Sequence, residues 1–342
     1  MDTVTVTKPT RAAAADDILV IRGLTTEFRG RRTRIRANDD IHLAVGRGTT
    51  LGIVGESGSG KSVLCRSILR LLPPSADAHV EGAVEYEGRD LRQLGEAEMR
   101  RLRGTELRMI FQNPMTSLNP LWPIGDQITE GLRVYTGLSA AAARTRGVEL
   151  LGRVGIPSPE QRFDELPFQW SGGMLQRAVI AMAIAGSPKL LFADEPTTAL
   201  DVTIQDQILA LLLELQERMG MTLVLVSHDL AVVAETCDRI AVMYAGRIVE
   251  TGPTKAIFSS PRHPYTLGLL GSIPQLATGS NRLTPIPGQP PDLARLGPGC
   301  PFAPRCSYVS PDCRTTPVRL EAVAADHRSA CLHPERLAQA AA

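Results

Sequence analysis

Long hydrophobic runs are missing from this 342-residue chain: its longest, residues 178–185 and 208–213, fall well short of the roughly 18–20 residues a membrane-spanning helix needs. A dominant charge is missing as well. The formal net charge of +1 gives no electrostatic reason to expect nucleic acid or an anionic lipid surface as the main partner. Residues 1–17 contain Lys8 and Arg11 but no apolar run behind a basic start, so they do not read as a secretory signal. A cytoplasmic location is the expectation, with residues 1–16 a loose tail. In that compartment six cysteines argue against a disulfide framework, and the lack of a CxxC knuckle weakens a zinc ribbon. No internal repeat is visible, which excludes two tandem copies of one unit.

An apolar fraction of 43% permits a well-buried core, in one large or two modest domains. Cys65 and Cys237 sit in partly apolar helical contexts that predict buried packing. Residues 18–24 and 41–45 read as strands separated by a basic hairpin loop, residues 29–36. Residues 50–55 read as a short apolar strand entering a Gly-rich loop, and a helical pattern over 62–72 is stopped by Pro73-Pro74. After strands at 82–86 and 107–111 the pattern turns helical over 124–135 and 140–154, inside an insertion running from about 114 to 170. Helix 173–185, strand 189–193, helix 204–219, strand 222–227, helix 230–236 and strand 239–244 follow. The alternation predicts an α/β fold, with a mainly parallel sheet and helices on both faces. From about Pro261 onward the chain is rich in Pro and Gly and reads as a separate extension.

Gly55, Glu56, Ser57, Gly58, Ser59, Gly60, Lys61 and Ser62 fit GxxxxGK[ST] in full. Glycines let successive N–H groups wrap phosphates while the next helix presents its positive end. Lys61 is expected to reach the β- and γ-phosphates, and the Ser62 hydroxyl to sit on Mg²⁺. Residues 190–195 form an apolar strand delivering Asp194 and Glu195 at its end, where open α/β sheets bind ligands. Asp194 is the candidate for holding Mg²⁺ and Glu195 for the general base that polarises water. The competing reading makes the pair a helix cap and a surface acid. Gln112 and His228 each follow an apolar strand, and singly neither means much.

The segment Phe168-Gln-Trp-Ser-Gly-Gly-Met-Leu-Gln-Arg177, in order with residues 55–62, Gln112, Asp194-Glu195, Asp201 and His228, resembles the ATP-binding subunits of ABC transporters. The resemblance implies a P-loop NTPase fold of the ABC nucleotide-binding type over residues 17–260, with a helical subdomain at about 114–172. It also implies that Gln112 contacts Mg²⁺ and the lytic water, and that His228 contacts the γ-phosphate. Ser171, Gly172 and Gly173 would complete the site of an opposite protomer, and Asp201 would lie at that interface. Trp170 stands where the family usually has leucine, and Met174 where many members have glutamine. Phe28 is the candidate for stacking on adenine, with a plain core phenylalanine as the alternative.

Residues 52–62, 111–120, 193–201 and His263-Pro-Tyr-Thr266 resemble the oligopeptide and dipeptide importers within that family, whose pattern nickel importers largely share. Such a subunit would sit peripherally at the cytoplasmic face of the cell membrane. Its partners would be two transmembrane permease subunits, a second, related ATPase making a heterodimer, and, through the complex, an extracytoplasmic peptide-binding protein. A soluble ABC ATPase acting on DNA or ribosomes is the rival, and it lacks support from any coiled-coil insertion or second motor in the chain. The extension, residues 261–342, carries Cys300, Cys306, Cys313 and Cys331 at Cx5C, Cx6C and Cx17C spacing. Soft thiolate ligation suits zinc or an iron–sulfur cluster. By resemblance a [4Fe–4S] cluster ranks ahead of Zn²⁺ and of unligated thiols, in a structural role that a Pro-rich segment with little core would benefit from.

Overall fold

The computed structural model describes residues 17–30, 33–198, 200–272 and 285–340, with residues 338–340 described by their backbone only. The tail expected over residues 1–16 lies outside the described residues. In chain order the strands are β1 (Asp17–Arg29), β2 (Arg34–Gly46), β3 (Thr50–Val54), β4 (Ala78–Tyr86), β5 (Arg89–Asp90), β6 (Leu107–Ile110), β7 (Leu190–Asp194), β8 (Thr222–Ser227), β9 (Arg239–Tyr244), β10 (Arg247–Pro253), β11 (Glu321–Ala324) and β12 (His327–Ser329).

They form two sheets. A larger one has the order β11-β12-β10-β9-β3-β8-β7-β6, and a smaller one β2-β1-β4-β5. In the larger sheet β9, β3, β8, β7 and β6 pair in parallel, whereas β10, β12 and β11 join antiparallel. The mainly parallel sheet expected from the alternation is therefore the larger one, whose parallel part runs from β9 to the edge strand β6, and the smaller sheet is antiparallel throughout. Alternate residues of the central strands point to opposite faces. Leu191, Ala193, Leu223, Leu225, Ile240 and Val242 enter one core with the helices Ala140–Arg153, Gly172–Ile184 and Val202–Met219. Phe192, Val224, Val226, Ala241 and Met243 enter a second core with the helix Lys61–Ile68, the helix Glu96–Thr105 and the inner face of the smaller sheet. Helices thus lie on both faces, joined on the second by the smaller sheet.

Three local expectations change. The loop expected over residues 29–36 is shorter, because Arg29 ends β1 and residues 34–36 open β2: Phe28 faces Ile35, Arg29 faces Arg34, and Glu27 holds Arg29 at 3.0 Å and Arg36 at 3.6 Å along the ribbon. The first helix ends at Ile68 rather than at residue 72. Arg70 takes φ 54°, and the Arg70 and Leu71 N–H groups return to Ser67 and Arg66 carbonyls, an ending usually signalled by glycine. The extension is not poor in core, because Tyr265 and Phe302 are buried in the main apolar cluster and β12 pairs with β10. Cys65 and Cys237 are buried, as their contexts predict. Residues 114–170 hold the helices Pro114–Ser117, Ile124–Thr136, Ala140–Arg153 and Pro159–Arg162.

Candidate nucleotide site

β3 delivers the chain into the loop 55–62 at the C-terminal edge of the parallel strands. Two of its glycines are required by their neighbours. Gly55 has φ 154° and a Cβ there would stand 2.2 Å from the Met243 carbonyl; Gly60 has φ 102° and would meet the Ala37 carbonyl at 2.3 Å. Lys61 is buried and donates to the carbonyls of Gly55 at 2.7 Å and Glu56 at 3.0 Å. Burial pulls its ammonium pKa down, against the opposing pull of Glu195, Asp194 and Glu56.

The Ser62 hydroxyl donates to Asp194 Oδ1 at 2.9 Å. Asp194, at the end of β7, is 1% exposed, and its Oδ2 is a buried oxygen with no hydrogen-bond partner. Burial raises its carboxyl pKa, with the Ser62 bond pulling the other way. A buried, half-satisfied carboxylate beside a hydroxyl is the donor set a hard divalent cation takes. The Ser59 hydroxyl is a second buried oxygen without a partner in the same loop.

Glu195 follows at φ 46°, an unusual conformation for a residue with a Cβ. Its N–H donates to the Val226 carbonyl on β8 at 3.0 Å, which fixes the turn. Three groups converge on its Oε2: Gln112 Nε2 donates at 2.9 Å, Thr198 Oγ1 donates at 3.0 Å, and His228 Nδ1 lies at 3.4 Å. Lys61, Ser62, Gln112, Asp194, Glu195 and His228, drawn from the ends of four strands, therefore form one cluster.

Ser171, Gly172, Gly173 and Asp201 form another. Ser171 caps the helix Gly172–Ile184, accepting from the Met174 N–H at 3.4 Å, and Asp201 caps Val202–Met219, accepting from the Ile204 N–H at 3.0 Å. A Cβ on Gly172 would lie 3.6 Å from Leu200 and one on Gly173 3.1 Å from Ile204, so the two helix starts adjoin. Ser171, Gly172 and Asp201 are exposed. Trp170, by contrast, is buried, and its indole N–H donates to Glu165 at 2.7 Å, so the unusual residue is absorbed into the core behind the motif. Phe28 is half-buried in β1, facing Ile35 and Ala78.

Four residues joined to these clusters carry no reading of their own in the sequence. Asn38 donates to the Gly60 carbonyl at 3.0 Å. Thr198 is the Glu195 partner above. Tyr265 accepts the Glu56 N–H at 2.8 Å, and Arg305 forks onto the Glu56 carboxylate at 2.7 and 2.9 Å. Tyr265 belongs to the His-Pro-Tyr-Thr segment and Arg305 to the Cys300–Cys306 segment, which were the available signals.

Cys300, Cys306, Cys313 and Cys331 line a single cavity of about 20 Å³, and no disulfide joins them. Burial raises the thiol pKa of Cys300 and Cys306. It pushes Cys331 up to about 12, helped by the other three thiols. Among the described residues, Asp312, Cys313 and His333 bring three donor atoms within 4.8 Å of one another.

The chain matches the ABC transporter family model over residues 38–198 and the model for the C-terminal region of oligopeptide/dipeptide transporters over residues 249–313. A Brucella melitensis protein described as a peptide import ATP-binding protein is 49% identical over 94% of this chain and 98% of its own. The oligopeptide transport ATP-binding protein OppD of Bacillus subtilis is 51% identical over 85% of this chain and 82% of its own. Among solved structures, the dimeric post-hydrolysis state of the ATP-binding cassette MJ0796, bound to ADP and Pi, superposes with a TM-score of 0.61 at 28% identity. It covers 69% of this chain and 98% of that one. CbiO1 of Clostridium perfringens, part of the transporter complex cbiONQ, gives the same score and identity over 71% and 91%.

Proposed function

Because the chain belongs to the ATP-binding subunits of ABC transporters, on the oligopeptide and dipeptide branch, we propose that it hydrolyses MgATP to drive peptide uptake through membrane-spanning partners. The observation that carries the ATPase part is the convergence of Gln112, Thr198 and His228 on one oxygen of Glu195, next to the Ser62–Asp194 pair. The C-terminal match and the importer relatives support peptide as the cargo. We assign residues 17–260 to the ATPase domain, with its helical subdomain at about 114–172, and residues 261–342 to the importer-type extension.

In this reading the N–H groups of residues 55–62 and the start of the following helix bind the phosphates, and Lys61 exchanges its carbonyl partners for β- and γ-phosphate oxygens. Ser62 and Asp194 hold Mg²⁺, joined by Gln112; the bound ion supplies neutralisation of phosphate charge. Glu195 accepts a proton from the attacking water while Gln112 and Thr198 fix its carboxylate. His228 is placed to donate to the γ-phosphate. Ser171, Gly172 and Gly173 meet the ATP of an opposing subunit, and Asp201 lies at the same boundary. Phe28 is kept as the adenine-stacking candidate.

The four thiols line one cavity, which supports a single shared metal centre; we rank a [4Fe–4S] cluster ahead of Zn²⁺ on the family resemblance. A single tetrahedral ion at about 2.3 Å from each sulfur draws its ligands closer together than a cluster does. The only triad of donors within 4.8 Å among the described residues contains just one of these cysteines. The raised thiol pKa values of Cys300, Cys306 and Cys331 mean that these three ionise only when a positive centre compensates. Anaerobic purification is expected to yield iron and sulfide near four each per chain; zinc alone would select the alternative, and none of the three would refute ligation.

Among the described residues no helix is long and apolar enough to cross a membrane, so the partners must supply the pathway. We place the subunit peripherally at the cytoplasmic face, paired with a second ATPase, two permeases and, through them, an extracytoplasmic peptide-binding protein. Purification of the tagged chain from gently solubilised membranes of its host, followed by mass spectrometry, tests this. Two polytopic proteins and a related ATPase are expected; recovery with nucleic acid or ribosomes would overturn the importer.

A further inference from the structure

Every polar group of Glu56, the second residue of the phosphate loop, is held, and two of its holders belong to the C-terminal extension. Its N–H donates to Tyr265 Oη at 2.8 Å. Its carbonyl accepts from Lys61 Nζ at 3.0 Å and from the Ser59 N–H at 3.2 Å. Its carboxylate takes both prongs of Arg305, Nη1 to Oε2 at 2.7 Å and Nη2 to Oε1 at 2.9 Å.

The holders are themselves locked. Arg305 is buried, its Nε donates to the Pro287 carbonyl at 2.8 Å, and its Nη1 also reaches Tyr244 Oη at 3.3 Å. Its backbone is set by the turn Ala303–Arg305, in which the Ala303 N–H returns to Cys300 and the Arg305 N–H to Phe302. Tyr265 packs at 4.5 Å from the Tyr244 ring and 5.4 Å from that of Phe302, and its N–H donates to His263 Nδ1.

Two physical arguments give this arrangement a purpose. A loop with Gly55, Gly58 and Gly60 at positive φ has little conformational restriction of its own, so its N–H directions must be imposed from outside. A carboxylate inside an anion-binding loop also repels phosphate unless it is neutralised. A bidentate guanidinium does both, because it fixes the plane of the carboxylate and cancels its charge.

We propose that Arg305 and Tyr265 are positioning residues for the phosphate loop, so that the C-terminal extension completes the nucleotide site. This rests on reading residues 55–62 as that site. Charge compensation gives the proposal a signature that structural damage lacks. Arg305→Met leaves Glu56 unpaired and raises the Kd and KM for MgATP about tenfold, with kcat within about twofold. Glu56→Gln loses the anchor but also the repulsion, and costs about threefold. The double variant binds as Glu56→Gln does, so removing Arg305 costs nothing once Glu56 is neutral. Arg305→Lys, which keeps the charge without the fork, falls between wild type and Arg305→Met.

Fluorescent MgATP titration and steady-state kinetics on the full chain read all four. Losses that add in the double variant, or an Arg305→Met chain that binds within twofold of wild type, overturn the inference. Should Arg305→Met fail to fold, Glu56→Gln and Tyr265→Phe decide: a loss of about threefold in each is expected, and wild-type affinity in both overturns it. A wild-type chain that binds no MgATP would sink the nucleotide reading and this inference together, whereas the preceding outcomes sink the inference alone.

Discussion

Glu195 sits in a left-handed conformation at φ 46° that costs a non-glycine residue roughly 1–3 kcal/mol, yet the Val226 carbonyl and three side chains hold it there. That geometry fixes where one carboxylate oxygen points, so shape and charge can be separated by mutation. Glu195→Gln keeps the shape and removes the proton acceptor. MgATP binding is expected to persist within a few-fold while turnover falls by about 10²–10⁴, as read by phosphate release beside a nucleotide titration; unchanged turnover would refute the assigned base. Asp194 separates the same way, with a sign that runs against intuition. Burial raises its carboxyl pKa, so its charge destabilises the fold until a cation compensates it. Asp194→Asn is therefore expected to raise the melting temperature without ligand, by the equivalent of about 1 kcal/mol, and to abolish the further rise that MgATP gives the wild type. A variant that melts lower without ligand and still responds to Mg²⁺ would show that Asp194 is a structural acid.

The helix Pro264–Leu270 begins at a histidine cap, since His263 Nδ1 accepts the Tyr265 N–H at 3.1 Å. Burial takes that imidazole from 6.5 down to about 3. Between those values the unfolded chain binds a proton that the folded chain refuses. This contribution to stability is thus complete above about pH 6.5 and is lost as the pH falls toward 3, at a slope of at most about 1.4 kcal/mol per pH unit. His263→Asn retains an acceptor suited to capping without the titration, so its loss of melting temperature from pH 7 to pH 5 is expected to be the smaller; an equal loss would exclude His263 as the cause. This element also marks the limit of what the sequence told. Thr222–Ser227 and Arg239–Tyr244 were legible to the residue because they are apolar runs with clear edges. The end at Ile68 was not, because Arg70 takes a left-handed conformation usually given to glycine. β11 is short and largely exposed and β12 is short and polar, and their place is set by tertiary contacts, above all the buried Glu250 that accepts from His327 and from the Arg262 and His263 N–H groups. Around the phosphate loop the motif residues were legible from their order, but Arg305 lies 249 residues from Glu56 and no local pattern announces such a contact.

At the scale of the whole molecule the two clusters have opposite characters. Lys61 and Asp194 are buried and bonded within the chain, whereas Ser171, Gly172 and Asp201 are exposed at two adjoining helix starts. An exposed helix N-terminus with a hydroxyl cap favours anions, and on the proposed function its anion is the ATP held by the opposing subunit. The chain should then separate binding from turnover. Taken alone it is expected to bind MgATP through residues 55–62, and Ser171→Arg should leave that affinity within about twofold while Lys61→Ala abolishes it. In the complex with the second ATPase subunit, Ser171→Arg is expected to lower turnover at least about tenfold, because a preorganised group that contacts phosphate charge is lost and a long cation fills the interface. Titration of the isolated chain and phosphate release by the reconstituted pair decide between the alternatives. Lost binding in the isolated Ser171→Arg chain would mean that the motif serves its own site. Full turnover in the pair would mean that this face is no interface, and the paired-motor reading would fall with it.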